Sequence, residues 1–417
     1  MRVTRRSLIA AAGATPLLPW PRGGSADSAF ADAAADSIAT LPAKKAFSPM
    51  SVTYLNSAST HPFSLGARRA VEQFLYARSM ESGAPNFGLF ATSDRVRGKF
   101  AALINAKTEE ICLVQSTTAG EHLVVQALNI PAVGGRIVTD TLHFPESDYL
   151  YREMAKLGMD VVWLKPRDGR SVDPADVESA MTKQTRLLVL SLVSNVNGFQ
   201  HDLKKVCAIA HAHGALVYAD IIQAAGAVPI DVRDSNVDFA ACASYKWLMG
   251  DFGLGFLYAR EDLLDRIKRT QFGYQQLIKL DTHVYPFDPP GSAVVSYDVR
   301  RDATGHFATG TTSGAGVAQL DYSLDYIREL GVDNIQRHRQ PLLDKARVEL
   351  ERKDYRCMTP EGSTSPILTF AYPDAAKLAP RLDAAKVKIS LIDNRVRISA
   401  SVFNDMQDID RLIEALS

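Results

Sequence analysis

An excess of charge of either sign is the first thing this chain lacks. Its 47 basic and 47 acidic side chains cancel, so no electrostatic footprint for nucleic acid is present. Long hydrophobic runs are missing too: nothing approaches the ~20 consecutive apolar residues of a membrane-spanning helix, so no stable membrane span is expected. Cysteine is scarce. Cys112, Cys207, Cys242 and Cys357 are scattered, without CxxC or metal-ligand spacing. Three of them sit in apolar runs (EICLV, KKVCAIA, FAACAS), where a thiol serves as a small apolar side chain. A zinc site and a disulfide framework are disfavoured, and no metal is expected. Internal repeats are absent.

What remains is the composition of a globular protein, 46% hydrophobic and 23% charged over 417 residues. That length exceeds one ordinary core and implies a large domain plus a smaller one. The opening MRVTRRSLIAAAGATPLLPW places Arg5 and Arg6 before Ser-Leu-Ile and a modest apolar run. It resembles a twin-arginine export signal, with small residues offering cleavage after Ala26 or Ala31. Loss of residues 1–26 removes four arginines and no acid, taking the balance from 0 to −4. An Ala/Asp/Ser-rich linker follows over 27–50, and the folded part begins near Ser51. The expectation is a periplasmic or secreted protein handled by the twin-arginine export machinery.

From there strand and helix alternate. Helices are expected over 62–79 and 92–104, and strands over 111–114, 136–139, 160–164, 186–192, 215–219 and 238–242, with helical stretches between. This predicts a mostly parallel sheet covered on both faces, with chemistry at the carboxyl ends of its strands. Residues 271–312, with Pro286, Pro289 and Pro290, read as a long, weakly periodic connection ahead of two long helices. The large domain is taken as 51–312, the connecting helices as 313–353, and a small α+β domain as 354–417.

The chemistry concentrates between Val217 and Tyr258. Asp220 ends an apolar run, Gln223 follows it, and Lys246 lies downstream in Ala-Ser-Tyr-Lys-Trp. A lysine that forms a Schiff base and a carboxylate that keeps a pyridine nitrogen protonated are the pair a pyridoxal phosphate enzyme needs. Ser116-Thr117-Thr118-Ala119-Gly120 stands between a strand and a helix start, where unpaired N–H groups favour an anion. Alone, that segment reads as a Ser/Thr cap, and only a phosphorylated cofactor nearby reverses the preference. Asn195 follows another apolar strand and is equally suited to a ring substituent or to ordinary turn chemistry. Arg395 and Arg397 share one face of a strand, one suited to gripping a carboxylate and the other to a structural salt bridge.

Together these motifs resemble the class V aminotransferase group of fold type I pyridoxal phosphate enzymes. That group includes cysteine desulfurases, isopenicillin N epimerase-like proteins, kynureninase and sulfoxide lyases, and the resemblance runs from Val52 to the C-terminus. It implies an α/β architecture: a mostly parallel seven-stranded sheet in the large domain, and a small α+β C-terminal domain to which the N-terminal segment contributes. Lys246 would hold pyridoxal phosphate, Asp220 would pair with its ring nitrogen, and Gln223 and Asn195 would bond its phenolic oxygen. Thr117, Thr118 and the backbone at Ala119 would bind the phosphate, helped by Ser244 or Tyr245. Phe144 matches the ring-stacking position, with His143 the competing choice. Thr311, after Gly310, would reach the phosphate of a neighbouring subunit, implying a homodimer with shared sites. Arg397 would take the α-carboxylate of an amino-acid-type substrate, with Asn56 near the same pocket. One departure stands out: cysteine desulfurases carry a cysteine shortly before that arginine, whereas KVKISLIDNRVRIS has none.

Proton removal at the α-carbon, with Lys246 as acid and base, leads to transamination, epimerisation or loss of a β- or γ-substituent. A transaminase-like reaction ranks first, with epimerase and lyase readings beside it. A non-catalytic exported binding protein is the reading from another class, and the intact Lys246 and Asp220 argue against it. A nucleotide-binding dehydrogenase would lean on the glycine run 250–255, which opens no convincing helix.

Overall fold

The computed structural model describes residues 40–47, 49–80 and 88–417. The twin-arginine leader and most of the linker lie outside the described residues. Strand β1 (Thr53–Tyr54) is followed by helices α1 (Leu65–Met80) and α2 (Leu89–Leu103). The chain continues with β2 (Ile111–Val114), α3 (Thr117–Ala127), β3 (Arg136–Asp140), α4 (Pro145–Lys156), β4 (Asp160–Leu164), α5 (Pro174–Ala180), β5 (Thr185–Ser191), α6 (Leu203–Ala212), β6 (Leu216–Asp220), β7 (Phe239–Ala243) and β8 (Gly255–Ala259).

These strands form one seven-stranded sheet in the order β2-β8-β7-β6-β5-β3-β4. It is parallel except at β8, which runs antiparallel to both β2 and β7. Interior parallel strands are covered on both faces, so they read as unbroken apolar runs. FAACA of β7 is buried throughout, and LVYAD of β6 is buried after its first residue. The polar side chains that end such runs are placed at the carboxyl edge. Helix α3 rides close on this sheet, where a Cβ on Gly120 would come within 2.8 Å of Ala241 Cβ.

The glycine run 250–255 opens no helix, in line with the sequence reading: it leads into β8, with Ser244 N donating to Leu254 O at 2.9 Å, so its glycines make a return turn and nothing there supports the dehydrogenase reading. Another expectation does change. Residues 271–312 are not an irregular connection. They contain an antiparallel hairpin, β9 (Leu277–Thr282) and β10 (Val295–Val299), whose side chains are exposed or only partly buried. Lacking a buried face, the hairpin leaves no apolar alternation to read.

Helices α7 (Gly314–Leu330) and α8 (Val332–Glu351) lead to an antiparallel sheet of β11 (Arg356–Cys357), β12 (Leu368–Ala371), β14 (Ser390–Ile392) and β15 (Arg395–Ile398), ordered β11-β12-β15-β14. Before β14, β13 (Val387–Lys388) pairs in parallel with β1, while β14 pairs with β15. Helix α9 (Met406–Ala415) follows, capped by Asp405 and Asp408, and buries Ile409 and Leu412 in a second apolar cluster with Phe370, Val396 and Ile398.

Candidate active site

Beyond β7 the chain makes a turn that presents Lys246. Met249 N donates to Lys246 O at 2.9 Å and Gly250 N to Ser244 O at 2.8 Å, closing the turn. Trp247 anchors it from beneath: its Nε1 donates to Gln223 Oε1 at 2.9 Å, and the buried Arg339 guanidinium lies 5.9 Å from the indole centroid. Gly226, at φ +86°, admits the turn, because a Cβ there would stand 2.6 Å from Trp247 O.

Lys246 is 7% exposed, and among the described residues its Nζ has no hydrogen-bond or ion-pair partner. Burial pulls its pKa down to about 8, against the raising influence of Asp220 and with help from Arg397. Asp220 ends β6. Its Oδ1 accepts from Ile222 N at 2.8 Å and its Oδ2 from Ser191 Oγ at 3.3 Å. Burial raises its pKa, opposed by His143, the Ile222 N–H and Lys246.

A cavity of about 90 Å³ brings Thr117, Thr118, Phe144, Asn195, Asp220, Gln223, Tyr245 and Lys246 together. Ser116, Ser191, Ile222 and Ala243 complete its wall, and sequence reasoning did not single out the last three. Ser191 and Ala243 end strands β5 and β7, a position that could have marked them. Gln223 is more committed than expected: its amide spans Trp247 and Ala58 O, to which Nε2 donates at 3.0 Å.

The remaining sequence candidates lie off this wall. The Ala119 N–H is donated to Ser116 Oγ at 3.0 Å, the N-cap bond of α3, so in this conformation it is not free for a phosphate. On the wall itself, Thr117 Oγ1 accepts from Ala243 N at 2.9 Å and keeps its own proton to donate. Ser244 Oγ donates to Asp251 O at 2.7 Å. His143 lies behind Phe144 with both ring nitrogens engaged, Nδ1 at 2.9 Å from Ser191 Oγ and Nε2 at 3.3 Å from Glu121 Oε1. Of the two stacking candidates only Phe144 lines the cavity. Thr311 lines a separate cavity of about 350 Å³, its hydroxyl 2.6 Å from Tyr274 OH.

Arg397, on β15, donates from Nη1 to Asn195 O at 3.1 Å and from Nη2 to Ser59 Oγ at 2.7 Å. Ser59 in turn donates to Asn56 Oδ1 at 2.8 Å, which ties Asn56 to the same corner. The guanidinium is 5% exposed, its Nε is unpartnered, and burial followed by Arg395 lowers its pKa to about 10. Arg395 donates to Val196 O at 3.2 Å and has no ion pair among the described residues, so the expected structural salt bridge is replaced by a carbonyl contact.

A buried cation without a carboxylate is costly, as is a buried amide oxygen without a donor such as Asn195 Oδ1. Both are explained if bound groups complete the site. An unpaired buried amine beside a carboxylate, with the hydroxyls of a helix N-terminus on the same cavity, is a donor set that fits pyridoxal phosphate.

A family model described as aminotransferase class-V matches residues 53–412. A probable cysteine desulfurase of Methanothermobacter thermautotrophicus is 28% identical over 306 residues, covering 72% of this chain and 73% of that protein. An uncharacterized aminotransferase of Bacillus subtilis, YcbU, is 24% identical over 370 residues, covering 88% and 94%. Among solved structures, the cysteine desulfurase CsdA of Escherichia coli superposes with a TM-score of 0.78 at 23% identity, covering 90% of this chain and 98% of that one.

Proposed function

The chain belongs to the class V aminotransferase family of pyridoxal phosphate enzymes, and on that premise we propose that it is a lyase cleaving a carbon–sulfur bond in a sulfur-containing amino acid, without relaying sulfur through a cysteine of its own. The observation that carries this reading is the state of the thiols. Relatives described as cysteine desulfurases point to carbon–sulfur cleavage, yet Cys112, Cys207, Cys242 and Cys357 are each at most 2% exposed. Burial pushes all four thiols up. A nucleophilic sulfur acceptor needs an accessible thiolate, and none of these cysteines offers one.

The cofactor supplies an electron sink for the pair released at the substrate α-carbon. The residues of this chain supply the rest. Lys246 holds the cofactor covalently and carries a proton to and from the α-carbon on Nζ. Asp220 keeps a proton on the ring nitrogen. Thr117 and Thr118 at the start of α3 would hold the phosphate, Asn195 the ring oxygen, and Phe144 the ring face. Arg397 holds the substrate carboxylate, turned by Ser59 and Asn56. Thr311 is assigned to the partner's phosphate in a homodimer. The Arg5–Arg6 leader supports twin-arginine export to the periplasm or beyond, checked by fractionating cells that carry Arg5→Lys with Arg6→Lys.

Product analysis of the loaded enzyme with cystine, cysteine and their oxides tests the reaction. Pyruvate and ammonia in equal amounts with a released sulfur product support the lyase. Amino transfer that depends on an added keto acid, as the Bacillus relative's name favours, replaces it with transamination, and inversion without cleavage replaces it with epimerisation.

Two further outcomes follow. The amine must be neutral to attack the cofactor aldehyde, so cofactor capture by the apo-protein rises about tenfold per pH unit below the Lys246 pKa of about 8 and levels off above it. Stopped-flow absorbance at several pH values reads this; a plateau reached only near the ordinary lysine value contradicts it. Arg397→Ala weakens substrate binding by about 2–5 kcal/mol, the cost of unpairing a buried charge, read as a raised KM. An unchanged KM moves the carboxylate site elsewhere.

A further inference from the structure

From Asp220 and Ser191 on the cavity wall, a buried chain of polar side chains runs back to α3. Glu121, on α3, is 1% exposed, while His143, Ser191 and Asp220 are each 4% exposed. Glu121 Oε2 accepts from Ser147 Oγ and Oε1 from Tyr151 OH, both at 2.6 Å, and Oε1 is also 3.3 Å from His143 Nε2. The other ring nitrogen, Nδ1, is 2.9 Å from Ser191 Oγ, and Ser191 Oγ donates to Asp220 Oδ2 at 3.3 Å.

Counting protons along this chain leaves one arrangement that satisfies every atom. A serine hydroxyl has one proton to donate. If that proton goes to Asp220, Ser191 must accept from His143, so Nδ1 carries a proton. Glu121 already accepts from two hydroxyls as a carboxylate, so Nε2 facing it must also carry one. The ring is therefore an imidazolium between two carboxylates. A neutral ring would either turn a lone pair toward Glu121 or take the Ser191 proton away from Asp220.

We propose that Glu121 is a positioning residue for the Asp220 carboxylate, acting through a protonated His143 and Ser191 to keep Asp220 ionised and aimed at the cofactor ring. This rests on the pyridoxal phosphate reading of the site. Burial opposes the Asp220 charge, and the Glu121 carboxylate acting directly opposes it more weakly, while the His143 cation is the first influence that lowers its pKa, ahead of the Ile222 N–H and Lys246. His143 is itself pulled down by burial, then raised beyond that by Glu121, with Asp220 and Asp140 adding to it. The other ionisable neighbours are placed too: Lys246 faces Asp220, His201 pairs with Asp140 at 3.2 Å, Tyr218 OH donates to Thr117 O at 3.3 Å, and Cys242 lies behind Asp220. The charge of Asp220 is thus set through the buried Glu121 and His143 side chains.

The test begins on the apo-protein, labelled with 15N at histidine, the His143 signal being identified by its loss in His143→Gln. The expected wild-type ring is still an imidazolium above the ordinary value of ~6.5, the direction in which Glu121 drives it. In Glu121→Gln it is neutral there, and in Ser191→Ala it stays protonated. Pyridoxal phosphate titration supplies the second readout: Glu121→Gln and Ser191→Ala each weaken binding about tenfold, whereas Glu121→Gln added to Asp220→Asn weakens it no further. A wild-type His143 that is already neutral at the ordinary value of ~6.5, or an unabated Glu121→Gln effect in the Asp220→Asn background, overturns the proposal. If Glu121→Gln does not fold, Ser191→Ala with and without Asp220→Asn decides it alone. Failure of the wild type to attach the cofactor at Lys246 would instead overturn the functional reading and leave the histidine result standing.

Discussion

Lys246→Ala is expected to remove the visible absorption band of covalently held pyridoxal phosphate and to lower turnover by about 10⁴-fold, the upper range for losing a group that serves as both anchor and proton carrier. The fold should survive. Among the described residues Lys246 Nζ makes no hydrogen bond or ion pair, only a ring contact 5.7 Å from the Tyr245 centroid; deleting a buried cation relieves desolvation but removes an influence that lowers the Asp220 pKa, so the variant should melt close to the wild-type temperature. A spectrum, a turnover assay and a melt on one preparation check all three. Loss of activity with a lowered melting temperature would mean that Lys246 is a structural residue of the β7 turn.

Asp220→Asn carries the second large effect. The amide keeps an oxygen for the Ile222 N–H but loses the charge that holds a proton on the ring nitrogen, and turnover is expected to fall by about 10²-fold or more. Attachment at Lys246 should persist. The sign of the accompanying pH shift is fixed: Asp220 raises the pKa of Lys246, so removing the charge moves the capture profile of Lys246 to lower pH than in the wild type. A profile that stays in place would separate the two groups electrostatically, and near-normal turnover would remove Asp220 from its role.

Much of this site could be read before the structure because charge interrupts apolar runs where a parallel sheet ends. Asp220 closes LVYAD and Lys246 stands just past FAACA, and both reach the cavity with Asn195, Thr117, Thr118 and Phe144. Six of the seven strands of the large sheet were legible for the same reason, each found within a residue or two of its ends. Strand β8 was hidden by the glycines that precede it and by its long-range antiparallel pairing with β2. The β9–β10 hairpin escaped because exposure on both faces erases alternation. The Glu121–His143–Ser191 chain comes from three separate elements, and no local pattern announces such a meeting. Nor could the sequence show that the Ala119 N–H is spent on the Ser116 cap, or that Arg395 meets a carbonyl instead of an acid. Those outcomes depend on loop positions that only the folded chain fixes.

Mapping the site of cofactor attachment tests the assignment of Lys246 most directly. The wild-type protein, loaded with pyridoxal phosphate, reduced with borohydride and digested, is expected to carry the phosphopyridoxyl mass on the peptide containing Ala-Ser-Tyr-Lys246-Trp and on no other. The mass on a different lysine, or on none while pyridoxal phosphate is demonstrably bound, would contradict the assignment of this cavity as the active site.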